Sequence, residues 1–244
     1  MQPDLAILPD FPLLQLNTFG IAARARAFLT VTALDQLRAI AADPALSALP
    51  RLLLGGGSNI VLTGDVDALV LHMAIGGKEV IGTDGARTLV RCGGGEPWHG
   101  FVQWTLAQGL GGLENMSLIP GTVGAAPIQN IGAYGTELKD VFHSLTVFDM
   151  GSGQTRVMDA QACRFGYRDS MFKHGEGAGL VIVDVTFALA EDWQPNLRYA
   201  ELAQAVAAAG LSAPTAREIS DIVVAIRQRK LPDPAVIGNA GSFF

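Results

Sequence analysis

The sequence predicts an α+β protein, because signals for short strands and signals for helices both recur along the chain. Its 244 residues are 49% hydrophobic and 16% charged, enough to bury the core of one large domain or two modest ones. The strongest strand signal is the Val- and Ile-rich run Gly179–Leu189. The clearest helix start is Thr215-x-x-Glu218, which has the spacing of a capping box.

The first predicted domain covers residues 1–76 and ends at the flexible pair Gly76-Gly77. Thr32 and Asp35 form the expected N-cap pair of its helix, and Asp43-Pro44 ends that helix. In chain order we expect an arm at 1–16, a turn at 17–20, a strand at 27–31, a helix to about 42, and strands at 52–54 and 67–73.

The second predicted domain covers residues 77–230. Pro97 suits the first position of a helix to about Gln108, on which His99 and Trp104 are interpreted as packing residues. The other expected elements are a hairpin of 78–81 with 88–92, a strand-to-helix turn at 93–95, strands at 143–150, 155–158 and 179–189, and helices at 159–163, 199–209 and 215–230.

A central stretch, Ser117–Gly135, holds too much Gly, Ala and Pro for an ordinary helix or strand. Its glycines let the main chain approach a ligand, and Gln129 and Asn130 add amides that can both donate and accept. A flat polar ligand is one interpretation. A buried crossover between closely packed elements is the other, and composition supports the two equally.

A second glycine-rich stretch, Gly55–Asn59, directly follows the apolar run Leu52–Leu54. A strand that enters such a turn presents consecutive N–H groups as an anion nest, which suits a pyrophosphate. The stretch is not GxGxxG, and GxxxxGK[ST] is absent from the sequence. By itself GGGSN is also compatible with a plain loop.

Composition and charge exclude several classes of function. The net charge of −6 argues against a broad nucleic-acid or anionic-membrane surface. The sequence has neither a signal-peptide pattern nor an apolar run near eighteen residues, so we expect a cytoplasmic protein. Cys92 and Cys163 are expected to be reduced thiols. No metal site is expected, because no ligand spacing relates the histidines at 72, 99, 143 and 174.

Taken together, GGGSN and the later pattern IPG…QNIGAYG resemble the FAD-binding core of the UDP-N-acetylenolpyruvoylglucosamine reductase family. The resemblance runs from Asn17 to Phe244. It implies a two-subdomain FAD-binding fold of the vanillyl-alcohol-oxidase/PCMH type, with 231–244 as the start of a third, substrate-binding domain. The cofactor-binding residues that it implies are Gly55, Gly56, Gly57, Ser58, Asn59, Ile119, Pro120, Gly121, Gly124, Gln129, Asn130, Gly132, Ala133, Tyr134 and Ile182.

The resemblance also implies an activity, the NADPH-dependent reduction of the enolpyruvyl ether of UDP-N-acetylglucosamine to UDP-N-acetylmuramate in peptidoglycan synthesis. Arg168, in YRDS, would stabilise the negative charge that develops when hydride adds to the β-carbon. Ser242, in GNAGSFF, would protonate the α-carbon, and Tyr199 and Lys230 would contact the substrate. From the residues alone, a surface ion pair for Arg168 and a turn serine at Ser242 are the commoner interpretations.

The family's third domain is expected to continue past the position of Phe244 and to carry a catalytic glutamate that no residue here matches. We therefore expect FAD binding to survive in this chain better than turnover. Two alternatives stay open: an FAD oxidase of the same fold, and a non-catalytic FAD-binding fragment. The expected partner is the small-molecule substrate, and a monomer is expected.

Overall fold

The computed structural model describes residues 5–233 and 236–239. Its first sheet has the order β1-β2-β4-β3, with β1 antiparallel to β2 and the other neighbours parallel. The strands are β1 (Leu8–Pro12), β2 (Arg24–Val31), β3 (Arg51–Leu54) and β4 (Val66–Met73). The predicted arm therefore contains an edge strand, β1, which pairs with β2.

Two helices lie between β2 and β3, namely α1 (Leu34–Ala42) and α2 (Pro44–Ser47). The predicted Thr32–Asp35 cap is wrong: Ala33 is the N-cap, and the Gln36 side chain instead accepts from the N–H groups of residues 32 and 33. The predicted end of α1 is confirmed. The Asp43 carboxylate then caps α2 by accepting from Ala45 and Leu46, so the chain starts a second helical turn there.

The second sheet is antiparallel and has the order β10-β9-β11-β6-β5. A small hairpin, β7–β8, precedes its central strands in the chain. The strands are β5 (Lys78–Asp84), β6 (Arg87–Gly93), β7 (Gly132–Ala133), β8 (Thr136–Glu137), β9 (Phe142–Asp149), β10 (Gln154–Asp159) and β11 (Leu180–Ala190). The predicted hairpin at 78–92 and the long strand at 179–189 are confirmed.

β11 is buried along nearly its whole length because both faces of the sheet are covered. Val181 and Val183 pack with the first sheet and α1, whereas Ile182 and Val185 face the core of the second sheet. A register shift between Ile182 and Asp184 exchanges the two faces of the strand, as a β-bulge does. Residues of both sheets thus pack in one core, although the segment 74–77 separates the sheets in the chain. The domain boundary at Gly76-Gly77 stays a prediction.

The remaining helices are α3 (Trp98–Ala107), α4 (Ala160–Cys163), α5 (Ala200–Ala208) and α6 (Ala216–Lys230). Pro97 is the N-cap of α3 rather than its first residue, and Tyr199 is the N-cap of α5. The capping box of Thr215 and Glu218 is confirmed. Leu202 of α5 and Val223 of α6 pack in a separate cluster that includes Tyr134, so the end of α6 lies beside the central glycine-rich stretch.

No helix among the described residues is long and apolar enough to cross a membrane. Likewise, the described residues contain no group of three or more His, Cys, Asp or Glu side chains arranged to hold a metal ion. Cys92 and Cys163 are both buried free thiols, and burial raises the pKa of Cys163 to about 12. A thiol with that pKa is protonated at neutral pH and is a poor nucleophile.

Candidate functional site

The two glycine-rich stretches meet in space. A Cβ on Gly56 would lie 3.0 Å from the Cα of Gly121, and a Cβ on Gly121 would lie 3.2 Å from the Ser58 hydroxyl. On Gly55, a Cβ would approach the Thr122 hydroxyl to 2.8 Å. Because main chain contacts main chain here, the glycines are required by packing as well as by any ligand.

The loop at 55–59 presents free main-chain donors. Within the described part of the chain, no backbone or side-chain group accepts a hydrogen bond from the N–H groups of these residues. Gly57 is fixed from behind: its carbonyl accepts from the Thr18 N–H at 3.1 Å, and a Cβ there would overlap the Leu16 carbonyl. Consecutive unpaired N–H groups on a rigid turn form a nest for an anionic oxygen.

A cavity of ≈ 230 Å³ lies on one side of this contact. Three predicted cofactor residues line it, Gly55, Gly124 and Ile182, together with the half-exposed side chains of Leu53 and Ile128. Thr122 also lines it, and the Thr122 hydroxyl is buried and has no hydrogen-bond partner among the described residues. A buried hydroxyl without a partner is costly, so a polar ligand atom is the expected complement.

A larger cleft of ≈ 1020 Å³ lies beside Ser58, Asn59 and Pro120, just above the range of about 300 to 1,000 Å³ that is usual for ligand pockets. Most of the residues predicted from the resemblance converge on it. The lining includes Ser58, Asn59, Ile119, Pro120, Gln129, Gly132, Ala133, Tyr134, Arg168, Tyr199 and Lys230.

The backbone around the large cleft is unusual. Leu118, Asn130, Tyr134 and Arg168 all have left-handed φ angles, between 42° and 59°, although none of them is glycine. Such conformations cost about 1 to 3 kcal/mol each and persist only where the surroundings hold them in place. Tyr134 and Arg168 line the cleft, and Leu118 and Asn130 directly adjoin residues that do, an arrangement typical of a functional site.

Arg168 extends its guanidinium along the central stretch. Its Nη2 donates to the Gly132 carbonyl at 2.6 Å, and its Nη1 donates to the Asn130 carbonyl at 3.4 Å. Glu137 lies 3.6 Å from Nη1, and the Tyr167 ring lies 5.1 Å below the guanidinium carbon. The alternative interpretation of Arg168 was a surface ion pair, for which Asp169 and Glu176 are the nearest carboxylates in the sequence. In the structure Asp169 pairs with His174 and Glu176 with Arg164 instead.

Tyr199 and Lys230 lie on the rim of the cleft. The Tyr199 ring packs edge-on against Tyr134, with 5.2 Å between centroids. The Lys230 ammonium pairs with Glu201 at 2.5 Å, and this hydrogen bond raises the pKa of Lys230. The end of α6 therefore presents a charged amine at neutral pH, next to two tyrosine rings.

Arg227 is a lining residue to which the sequence analysis assigned no role. It lies one turn before Lys230 on the same side of α6, which is the signal that could have identified it. Its Nε is buried, and no group in the described part of the chain accepts from it. Burial lowers the pKa of Arg227, so the site carries a cation that an anionic ligand would stabilise.

Four predicted cofactor residues line neither space: Gly56, Gly57, Gly121 and Asn130. Gly56 and Gly121 form the contact between the two stretches, and Gly57 packs against Leu16 and Asn17. The buried Asn130 side chain is hydrogen-bonded to protein groups through both its oxygen and its nitrogen. Ser242 lies outside the described residues.

His99, interpreted as a packing residue, is half-buried and has a polar role as well, since its Nδ1 accepts from the Leu118 N–H at 3.0 Å.

Comparison with known proteins assigns the class. Residues 25–159 match the family model described as an FAD binding domain. The crystal structure of UDP-N-acetylenolpyruvylglucosamine reductase from Thermus caldophilus superposes with a TM-score of 0.67 at 23% identity, over 98% of this chain and 73% of that one. At this identity the likeness concerns the fold. The chain is thus an α+β flavoprotein of the FAD-binding type, as the sequence predicted.

Closer relatives narrow the class to one family. UDP-N-acetylenolpyruvoylglucosamine reductase of Azoarcus sp. (strain BH72) is 56% identical over 246 residues, which are 99% of this chain and 71% of the relative. The enzyme of the same name from Burkholderia vietnamiensis (strain G4 / LMG 22486) is 53% identical over 249 residues, with 100% and 71% covered. The chain belongs to the UDP-N-acetylenolpyruvoylglucosamine reductase family.

Proposed function

We propose that this chain holds FAD between its two glycine-rich stretches and carries the reducing centre of an NADPH-dependent UDP-N-acetylenolpyruvoylglucosamine reductase of peptidoglycan synthesis. The contact of Gly56 with Gly121 supports the proposal best, because it joins an anion nest to a large cleft lined by cations. The residues present fit the cofactor: the N–H groups of 55–59 suit its diphosphate, and the unpartnered Thr122 hydroxyl suits a polar atom of the same ligand.

When bound, FAD supplies the capacity to take up and return a hydride, which side chains lack. The chain's own residues position and polarise the reactants. Gln129 and the hairpin of residues 132–137 line the cleft where a flat ring can lie. Arg168 presents a permanently charged guanidinium to the enolpyruvyl carboxylate and lowers the energy of the charge that develops on the α-carbon.

Tyr199 and Lys230 provide an amphipathic ring and an ammonium at the rim, which suit a nucleotide diphosphate. The same ammonium can contact the phosphates of NADPH when the substrate is absent. We therefore propose that NADPH and the enolpyruvyl substrate use this cleft in turn. Ser242 as the proton donor to the α-carbon also belongs to this proposal, and it rests on the resemblance of the GNAGSFF segment alone.

The test is a pair of anaerobic stopped-flow measurements on the FAD-loaded chain and on a version extended to the full length of its relatives. We expect NADPH to bleach the flavin absorbance in the extended version, and the enolpyruvyl substrate to restore it. A flavin that NADPH never bleaches in the extended version would refute the reductase proposal. Bleaching that only dioxygen reverses would support an oxidase instead.

Both lengths are needed because the chain spans 71% of the relatives it matches. FAD binding that is equal in the two versions, with turnover confined to the longer one, would assign this chain to cofactor binding and the further segment to completion of the substrate site. Sedimentation of the FAD-loaded chain would test the expected monomer.

A further inference from the structure

We infer that Asn130 is a positioning residue for Arg168, and that it acts on recognition of the substrate carboxylate rather than on the flavin. This inference rests on the proposed function, since it gives Arg168 a carboxylate to bind. The buried Asn130 side chain lines neither the small cavity nor the large cleft. It lies behind the cleft wall, between the central stretch and the loop that carries Arg168.

The Asn130 amide joins three segments of the chain. Its Nδ2 donates to the Gly166 carbonyl at 2.8 Å and to the Glu137 carboxylate at 3.2 Å. Its Oδ1 accepts from the Lys139 N–H at 3.0 Å. One side chain therefore ties the central stretch to the loop at 166–168 and to the hairpin that ends at Glu137.

These three segments are the ones that orient the guanidinium of Arg168. The carbonyls of Asn130 and Gly132 accept from its two Nη atoms, and Glu137 lies 3.6 Å away. Arg168 itself has a left-handed φ of 53°, stabilised by a 2.9 Å hydrogen bond from the Lys173 ammonium to its carbonyl. The lysine fixes the backbone of Arg168, whereas Asn130 fixes the groups against which the guanidinium rests.

Gln129, the neighbouring amide, has the opposite arrangement. Its side chain lines the large cleft, and its contact with another side chain is a long hydrogen bond of 3.4 Å from Asn59. Adjacent amides thus point to opposite sides of the wall, one towards the ligand space and one into the protein. This pair supplies a matched control.

The experiment compares two probes on the FAD-loaded protein by titration calorimetry. UDP-N-acetylmuramate carries the carboxylate, and UDP-N-acetylglucosamine lacks it, so their affinity ratio isolates carboxylate recognition. In N130G, where glycine keeps the left-handed backbone, we expect the ratio to fall about ten-fold while the affinities for FAD and for UDP-N-acetylglucosamine change by less than about two-fold. In Q129M we expect weaker FAD binding and an unchanged ratio.

The double variant N130G/R168M separates positioning from general damage. It should have the same ratio as R168M alone, because Asn130 then has no guanidinium to hold. If N130G proves too unstable, N130D keeps the acceptor for Lys139 and loses the two donor bonds, and it should lower the ratio in the same direction.

A fall of both affinities together, or a loss of FAD binding in N130G, would overturn the inference. So would an N130G effect that persists in the R168M background. A wild-type protein without any preference for the carboxylate probe would instead contradict the proposed function. The two failures are therefore distinguishable.

Discussion

The cleft has two sides that are built from different parts of the polypeptide. On one side the loop at 55–59 offers unpaired main-chain N–H groups, of which those of Ser58 and Asn59 belong to residues that line the cleft, and the contact of Gly56 with Gly121 backs this loop. On the other side they are the long side chains of Arg168, Arg227 and Lys230. The first side is shaped by close backbone packing, and the second by charge.

This difference predicts how each side responds to change. A wall made of backbone tolerates almost no added volume, because two chains in contact cannot move apart without disturbing β3 and the central stretch. A wall made of charged side chains tolerates substitution structurally but loses affinity for anions. The following experiments test that contrast, beginning with the largest expected effect.

Gly56→Val should abolish FAD binding, with an affinity loss of at least about 100-fold. The new side chain would force Gly56 and Gly121 apart, since even a Cβ would lie 3.0 Å from the partner Cα. Gly64→Ala is the matched control, because a Cβ on Gly64 has no atom within 4 Å among the described residues. Flavin absorbance after gel filtration and fluorescence titration with FAD measure both, and normal binding by G56V would contradict the backbone wall.

Arg227→Met should weaken binding of the anionic ligand by about ten-fold and leave the ligand-free protein as stable as wild type or more stable. The reason is that the buried Nε has no acceptor among the described residues, so the cation costs desolvation energy until a ligand pairs with it. Calorimetry with FAD and with UDP-N-acetylmuramate would identify the ligand concerned.

The exposed Arg229, which pairs with Glu201, supplies the control for that experiment. Arg229→Met should change neither ligand affinity nor stability appreciably, since exposed ion pairs contribute little. A ligand-free R227M protein that melts well below wild type would show that Arg227 has a structural partner after all.

Acidification should weaken FAD binding by a few-fold through His99. Burial, and secondarily the charge of Arg227, hold the pKa of His99 below its ordinary value of about 6.5. Its stabilising contribution is therefore complete above about pH 6.5 and is lost as the pH falls through the folded-state pKa, where protonation removes the acceptor for the Leu118 N–H. FAD affinities at about pH 7.5 and 5.5 measure this effect.

His99→Gln removes the titrating ring and should flatten that pH dependence. If FAD affinity depends on pH equally in H99Q and in wild type, the effect belongs to another titrating group. The comparison distinguishes the neutral imidazole, as the acceptor that stabilises the left-handed turn at Leu118, from a general acid sensitivity of the fold.

The smallest effect is expected for a substitution at the start of α6, because Thr215 does not line the cleft. Thr215→Ala should lower the free energy of unfolding by about 1 kcal/mol, because the Thr215 hydroxyl accepts from the Glu218 N–H at the start of α6. Its FAD affinity should equal that of wild type. Urea unfolding monitored by circular dichroism gives the first quantity, and a lowered FAD affinity would mean that α6 transmits its stability to the cleft.

Several structural features could be predicted from sequence because their causes are local. The turn after β3 depends on consecutive glycines, and the start of α6 depends on two side chains three residues apart. The cap of α1 was predicted wrongly because a second side chain nearby competes for the same role. Thr32 has the right chemistry for an N-cap, but the Gln36 side chain, four residues further on, accepts from the N–H groups of Thr32 and Ala33, and the helix begins after Ala33.

By itself the sequence determined the alternation of strands and helices, the glycine-rich turns, and the membership of the chain in a flavoprotein family. It could not reveal that the Nε of Arg227 would be buried without an acceptor among the described residues, or that Asn130 and Gln129 would face opposite sides of one wall. The orientation of Asn130 depends on hydrogen bonds between residues far apart in the chain, such as Asn130 to Gly166, and the surroundings of Arg227 depend on which segments pack against α6. Such pairings arise only when packing brings distant segments together, because neither residue type nor spacing specifies which partner a polar side chain will meet.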